Sequence, residues 1–111
     1  MARFRIADAA REDLEHILSI SRERWGESGR ARYATLVLAA LRQIGRAPAG
    51  GATLDRSEVA DGLRSLHIRH VRRSGTVKAP VHVVFYRVGP VIEILRVLHE
   101  RMDPSGHRDG V

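Results

Sequence analysis

Two apolar stretches near the C-terminal end constrain the fold of this chain more than any other feature. They are VHVVFYRV at residues 81–88 and VIEILRVL at residues 91–98, and Gly89-Pro90 lies between them. Nearly continuous runs of β-branched and aromatic residues are typical of buried strands, and a tight turn between two such runs forms an antiparallel hairpin. The sequence therefore predicts a sheet that contains this hairpin.

The segment that follows Asp8 has the spacing of an amphipathic helix. Asp8 is expected to cap its first turn, and Gly26 is expected to end it. The apolar stripe is formed by Leu14, Ile17, Leu18, Ser21 and Trp25. This spacing of three and four residues places the stripe on one face, which predicts a helix packed against the sheet.

A second helical pattern begins at about Arg30 and stops before Gly45 and Pro48. Its stripe consists of Tyr33, Val37, Ala40, Leu41 and Ile44. Ser28 offers a second N-cap, and the short link of residues 26–29 predicts that the two helices fold back on each other as a hairpin. Leu36 and Leu38 widen the apolar face, either as dense core packing or as an exposed groove for a partner.

Two further strands complete the predicted element order. Residues 3–7 alternate, with Phe4 and Ile6 facing the core, and residues 63–68 alternate with Leu63 on the face opposite Leu66. Residues 47–57 have the composition of a loop. The predicted fold is α+β with the order β-α-α-β-β-β, a helical hairpin on a small, mostly antiparallel sheet. Residues 1–103 are expected to form one domain, and residues 104–111 a flexible tail.

Composition limits the function classes. The net charge of +6 comes from 19 Lys and Arg residues against 13 Asp and Glu residues, which favours an acidic partner. The chain has no cysteine, so thiolate metal sites and disulfides are excluded, and neither a metal nor another cofactor is predicted. No apolar stretch reaches the ~20 residues that a membrane helix needs, and a cytoplasmic protein is expected.

Several arginines have an ambiguous role in the sequence. The segment from Arg69 to Lys78 is a predicted basic hairpin loop, which is either solvated and protective of a sheet edge or a binding site for an acidic partner. Arg87 and Arg96 interrupt apolar strands, so each is expected either to form an ion pair or to bind a partner. Glu58, Asp61 and Glu100 are the candidate carboxylates.

The whole pattern resembles the ParE branch of the RelE/ParE superfamily of toxins from bacterial toxin–antitoxin pairs. The resemblance covers about residues 3–103 and is most specific at GLRS (62–65), FYR (85–87) and ILRVLH (94–99), in this order. It implies a compact toxin that a ParD-like antitoxin neutralises by wrapping it with an extended C-terminal segment, in a toxin–antitoxin hetero-oligomer. It also implies that DNA gyrase is the target in this branch, whereas RelE-like relatives cut messenger RNA on the ribosome.

The predicted contacts follow from this resemblance together with the charge pattern. The candidate residues for target binding are Arg69, Arg72, Arg73, Arg96, His99 and Arg101. The candidate residues for antitoxin binding are Tyr33, Leu36, Val37 and Leu38. No sequence-specific DNA binding by this chain is expected.

Catalysis is the alternative that the sequence leaves open. A metal-independent ribonuclease needs acid/base groups and cations around the phosphate, and the candidate set is His99 with Arg64, Arg87 and Arg96. RelE-like nucleases resemble one another in carrying an acid/base group close to the C-terminus, where this chain has Met102, which cannot titrate. A non-catalytic gyrase inhibitor is therefore favoured over a RelE-like endoribonuclease or a non-toxic relative that only binds antitoxin.

Overall fold

The predicted hairpin lies inside a five-stranded mixed sheet. The computed structural model describes residues 3–71, 77 and 79–102, so Arg72, Arg73, Lys78 and the predicted tail at residues 104–111 lie outside the described residues. The elements in chain order are β1 (Phe4–Ile6), α1 (Asp8–Arg46), β2 (Leu54–Asp55), β3 (Leu63–His67), the 3₁₀ turn η1 (Ile68–His70), β4 (His82–Arg87), β5 (Ile92–His99) and the 3₁₀ turn η2 (Glu100–Met102).

The spatial order of the strands is β1-β5-β4-β3-β2. β1 runs parallel to β5, and the other three neighbouring pairs are antiparallel. The predicted α+β class with a mostly antiparallel sheet is therefore confirmed. The two-residue strand β2 lies in the segment that was predicted as a loop, because a strand of this length is too short to show a period of two.

The helical part contains the predicted pair of helices, joined by a shorter link than predicted. α1 is one helical segment of 39 residues in which only Gly26 leaves helical geometry, with φ 72° and ψ −176°. A straight helix of this length would extend about 58 Å, yet the longest dimension of the molecule is 39 Å. The chain therefore turns back at Gly26, between an N-terminal half (residues 8–25) and a C-terminal half (residues 27–46).

Both predicted helix caps are wrong. Ala7 is the N-cap residue of α1, without a side-chain hydrogen bond, and Asp8 lies in the first turn, where a carboxylate still complements the helix dipole. Ser28 lies inside the helix, where its hydroxyl accepts a hydrogen bond from Arg32 at 2.7 Å. The predicted four-residue link is thus reduced to the single residue Gly26.

The main core lies between α1 and one face of the sheet. Both halves of α1 contribute to it, as do η1 and the inner positions of β3, β4 and β5. Its fully buried side chains include Ile44, Leu66, Ile68, Val84, Tyr86 and Ile94. A smaller cluster of Leu63, Val83 and Phe85 lies separately from it. The predicted separation of Leu63 from Leu66 is therefore confirmed.

Two predicted apolar contacts are corrected by the structure, and the alternatives left open for Leu36 and Leu38 are decided by it. Phe4, predicted to face the core, is 39% exposed because β1 is a short strand at the margin of the sheet, and Trp25 is 59% exposed because the helical stripe ends at the Gly26 break. Leu36 is buried in the main core, whereas Leu38 is exposed. Of the two residues that widen the apolar face of the second helix, Leu36 therefore packs in the core and Leu38 lies on the surface.

A β-bulge changes the outer edge of β5. Tyr86 pairs with Ile94 and Phe85 pairs with Arg96, so that Leu95 is the extra residue of β5. β1 pairs only with Ile92–Ile94. Beyond the bulge, β5 therefore has no strand neighbour on this side among the residues that the structure describes.

Candidate functional site

A groove opens where β5 extends beyond β1. Its walls are the two halves of α1, the segment that leads into β4, the end of β5 and η2, and its cavity volume is about 740 Å³. The lining residues are Asp13, His16, Ile17, Ile20, Ser21, Arg24, Trp25, Gly29, Arg32, Tyr33, Val77, Ala79, Val81, His82, Val97, Leu98, His99 and Met102.

Asp13 joins α1 to the open edge of β5. Its carboxylate accepts two hydrogen bonds from the Arg96 guanidinium, at 2.8 and 2.9 Å, and a third from the Val97 backbone N–H at 2.9 Å. Burial alone would raise the pKa of Asp13, but these hydrogen bonds bring it below its ordinary value. Arg96 forms its ion pair with Asp13 and not with the candidate carboxylates Glu58, Asp61 and Glu100.

The groove has two exposed apolar side chains at its rim. Trp25, the only tryptophan of the chain, is 59% exposed, and Met102 is 56% exposed. Ile20 and Leu98, both half-buried, extend the apolar surface between them. Gly29 is required beside Trp25, because a Cβ atom there would lie 2.3 Å from the Trp25 Cβ.

The charges at the groove are mainly basic. His16, Arg24 and Arg32 line it from α1, and all three are exposed. Asp13, the only carboxylate among the lining residues, is neutralised by Arg96. An apolar surface with basic groups around it complements a segment that carries both apolar and acidic side chains.

Tyr33, His82 and His99 line the inner end of the groove. A hydrogen bond of 2.6 Å joins the Tyr33 hydroxyl to His82 Nδ1, and the rings of His82 and His99 meet edge to face with centroids 5.7 Å apart. Burial lowers the pKa of His82 to about 4 and raises the pKa of Tyr33 to about 12. Both pKa values lie far from neutral pH, which is unfavourable for general acid–base catalysis by these two side chains.

The structure does not bring the alternative catalytic set together. His99 pairs with His82 at one end of the hairpin, whereas Arg87 pairs with Glu93 at the other end, roughly 17 Å away at 3.4 Å per residue. Arg64 pairs with Tyr86, near that same far end, and donates to the Pro48 carbonyl at 3.1 Å and to Thr53 Oγ1 at 2.8 Å.

Arg87 does not form the predicted ion pair with the carboxylate of Glu58, Asp61 or Glu100 among the described residues. Arg87 Nε donates to the backbone carbonyl of Asp61 at 3.1 Å, not to its carboxylate. Arg64, Arg87 and Arg96 are thus each held by a separate part of the protein.

The residues predicted for target binding fall into three groups. Arg69, His99 and Arg101 lie at the same end of the sheet, where β3 and β5 finish, and both arginines are exposed. Arg96 lies on the open edge of β5 in its ion pair. Arg72 and Arg73 belong to the part of the chain that the structure does not describe.

The residues predicted for antitoxin binding are mostly buried. Leu36 and Val37 are each 5% exposed and belong to the main core, so they offer no surface to a partner. Tyr33 is also buried, but it lines the groove. Leu38 is exposed and does not line the groove.

Sequence reasoning missed the groove and the contact of His82 with His99. A hairpin centred on Gly89-Pro90 would place His82 opposite Val97. The observed register brings His99 there instead, because the turn is longer and Leu95 is an extra residue of β5, so the predicted strands did not contain this contact. The pairing of Asp13 with Arg96 spans 83 positions and leaves no local signal.

Two further findings concern metals and membranes. Within residues 3–71, 77 and 79–102, no group of three or more metal-ligating side chains could hold an ion. Over the same described ranges, no helix combines the length and the apolar character needed to cross a membrane.

Comparisons with known proteins agree on one family. The sequence profile of the family described as "ParE toxin of type II toxin-antitoxin system, parDE" matches residues 4–104. Toxin ParE1 of Caulobacter vibrioides is 35% identical over 107 residues, which cover 96% of this chain and 98% of that protein. Toxin ParE1 of Mycobacterium tuberculosis is 31% identical over 104 residues, 92% of this chain and 93% of that protein.

A solved structure supports the same fold. It is described as the chromosomal ParDE toxin–antitoxin system from P. aeruginosa, and it matches with a TM-score of 0.65 at 20% identity over 89% of this chain and 96% of that one. At this identity the match concerns the fold alone. From the family profile and the curated relatives, we conclude that this chain belongs to the ParE toxin family of type II toxin–antitoxin systems.

Proposed function

We propose that this toxin inhibits DNA gyrase in the cytoplasm without catalysing a reaction, and that a ParD-like antitoxin neutralises it by occupying the groove between α1 and the end of β5. The observation that carries the antitoxin part is the groove itself, with Trp25 and Met102 exposed at its rim. Gyrase as the target follows from the resemblance to the ParE branch.

The chemistry of the groove supports an antitoxin segment as its occupant. Such a segment would bury apolar side chains against Ile20, Trp25 and Met102 and would direct acidic side chains toward Arg24 and Arg32. The open edge of β5 adds backbone groups with which an extended segment can pair. The toxin would then be held inactive in a hetero-oligomer with its antitoxin.

The positions of the alternative catalytic residues support a mechanism without catalysis. Acid/base catalysis requires the proton-transferring group and the cations within hydrogen-bond reach of one substrate. His99 and Arg87 lie at opposite ends of the hairpin, and Arg64 is hydrogen-bonded to Pro48 and Thr53. A gyrase inhibitor requires only a binding surface.

Expression in cells tests the function. We expect induction of the chain to stop growth and replication while transcripts keep their normal ends, and co-expression of the cognate antitoxin to restore growth. Transcripts cut within codons on the ribosome would contradict the proposal and favour the nuclease. Normal growth with folded protein present would favour the non-toxic relative.

A matched pair of substitutions tests the groove. Met102→Glu and Leu38→Glu each place a carboxylate at an exposed apolar position, and only Met102 lines the groove. We expect Met102→Glu to weaken antitoxin binding at least about tenfold, because it buries an unpaired charge, and Leu38→Glu to leave the affinity unchanged. Trp25 fluorescence reports occupancy directly. If Leu38→Glu weakened antitoxin binding and Met102→Glu did not, the antitoxin would bind the outer face of α1 and not the groove.

A further inference from the structure

Met102 is the only residue with a sulfur atom in the part of the chain that the structure describes. The sequence has no cysteine and two methionines, and the other methionine, Met1, lies outside the described residues. The Met102 side chain is 56% exposed at the rim of the groove, where Trp25 is exposed as well. An oxidant that attacks sulfur therefore reaches a target on the surface proposed for the antitoxin.

The backbone that carries Met102 is held in place at the end of β5. Met102 is the last residue of η2, and the first residue of this turn, Glu100, donates its N–H to the Val81 carbonyl at 2.7 Å. The Glu100 carboxylate is hydrogen-bonded to His67 Nε2 at 2.7 Å. Since these bonds tie η2 to its neighbours in the fold, a chemical change at the Met102 side chain is presented at the groove.

Oxidation would convert an apolar side chain of the groove into a polar one. A sulfur lone pair attacks one oxygen of a peroxide, an S–O bond forms, the O–O bond breaks, and the second oxygen leaves as water. Sulfur loses two electrons and the peroxide gains them, and the product is methionine sulfoxide. The half-buried side chains of Ile20 and Leu98, which also line the groove, offer no hydrogen-bond donor to the new oxygen. A partner that covers it without a donor of its own would bind more weakly.

We propose that Met102 is a site of reversible oxidation by peroxides, and that its sulfoxide weakens antitoxin binding until it is reduced. The inference rests on the proposed function, because it takes the antitoxin as the occupant of the groove. Bound antitoxin would cover Met102, so the oxidation takes place on the free toxin. A peroxide would thus hinder recapture of free toxin and would not dissociate an existing complex.

The first measurement is the rate at which hydrogen peroxide oxidises Met102. Trypsin cleaves after Arg101, so the peptide that begins at Met102 reports the sulfoxide by the mass of one added oxygen. In the free chain, Met102 should react within about threefold of the rate of a short methionine peptide, because susceptibility follows exposure. Bound antitoxin should slow the reaction at least about tenfold, because it removes this exposure.

The second measurement is the affinity of the cognate antitoxin before and after oxidation. We expect the sulfoxide to weaken binding about tenfold, and methionine sulfoxide reductases with a dithiol as reductant to restore it. Met102→Leu/Leu38→Met is the matched control, because it moves the thioether to an exposed position of α1 that does not line the groove. Whatever the starting affinity of this variant, peroxide should not change it. Circular dichroism verifies that each sample is folded.

The inference and the proposed function fail in different ways. If bound antitoxin protects Met102 but the oxidised chain binds as tightly as the reduced one, the inference is overturned and the groove remains the antitoxin site. If the antitoxin binds without protecting Met102, both are overturned. Resistance of Met102 to peroxide in the free chain would overturn the inference alone. So would a loss of affinity that the control shares or that the reductases do not reverse, because the effect would then lie at another residue.

Discussion

At the scale of single residues, the contact between Asp13 and β5 has the clearest energetic consequence. The Asp13 carboxylate accepts three hydrogen bonds and is 15% exposed, while the Arg96 side chain is 47% exposed. The guanidinium can therefore turn to water when its partner is lost, whereas the Val97 N–H, which lies beyond the bulge on the open side of β5, has Asp13 as its acceptor. The backbone hydrogen bond should account for more of the stability than the exposed ion pair.

Asp13→Ala should lower the free energy of unfolding by about 1 to 3 kcal/mol, because it leaves the Val97 N–H without an acceptor. Glu15→Ala, which removes an exposed carboxylate from the same helix, should change it by less than about 0.5 kcal/mol. Urea denaturation of the two variants measures both values. If both substitutions lowered the free energy of unfolding equally, the hydrogen bond from Val97 N–H to Asp13 would not contribute to stability.

His82 makes the stability depend on pH. Burial lowers the pKa of His82 in the folded protein to about 4, against 6.5 for an ordinary histidine. The unfolded chain therefore binds a proton between these two values that the folded protein does not bind, and stability should fall as the pH decreases from about 6.5 to 4.

We expect this loss to be about 1 to 2 kcal/mol, since solvent still reaches part of the ring. Denaturation of the unchanged protein and of His82→Phe at several pH values measures it. His82→Phe should remove most of the slope in this range, whereas His16→Gln, at an exposed position of α1, should retain it. A slope that persists in His82→Phe would assign the effect to other groups.

At the scale of elements, the break in α1 at Gly26 sets the geometry of the groove. The break turns the two helical halves toward each other and leaves Trp25 at the rim. The sequence predicted a break at this glycine but assigned four residues to it, because Ser28 and Gly29 are also typical of helix ends. Gly29 is instead needed for its close approach to Trp25, which only the structure reveals.

Gly26→Ala should lower the free energy of unfolding by about 1 to 3 kcal/mol, because the combination of φ 72° and ψ −176° is essentially restricted to glycine. Gly51→Ala is the matched control, since an added Cβ meets nothing within 4 Å at either position and φ at Gly51 is not positive. The control should be neutral or slightly stabilising. Thermal or urea denaturation measures the difference, and equal effects would contradict a strained turn at Gly26.

At the scale of the whole molecule, local patterns predicted the elements better than the contacts between them. The hairpin of β4 and β5 follows from two nearly continuous apolar runs joined by a tight turn, and the two faces of β3 follow from apolar alternation. A single sequence contains both signals. Other features left no such signal. β2 is too short, with two residues, and Trp25 is exposed because it lies where the helix breaks. Asp13 and Arg96 are 83 positions apart in the sequence. These features depend on the assembled fold, and Trp25 and Asp13 line the groove.

The assembled fold also changes which residues are candidates for function. The sequence made Leu36 and Val37 candidates for antitoxin binding, but both are core residues. The sequence made Arg96 a candidate for target binding, but its ion pair with Asp13 joins β5 to α1. The surfaces that remain are the groove and the end of the sheet that carries Arg69 and Arg101, and His99 belongs to both.

The most direct test of the central claim is a supercoiling assay with purified DNA gyrase. The folded chain at micromolar concentration should inhibit supercoiling of relaxed plasmid or trap cleaved DNA, and one equivalent of the cognate antitoxin should restore activity. Met102→Glu should still inhibit gyrase but should resist the antitoxin. Unchanged supercoiling in the presence of folded toxin would contradict the account.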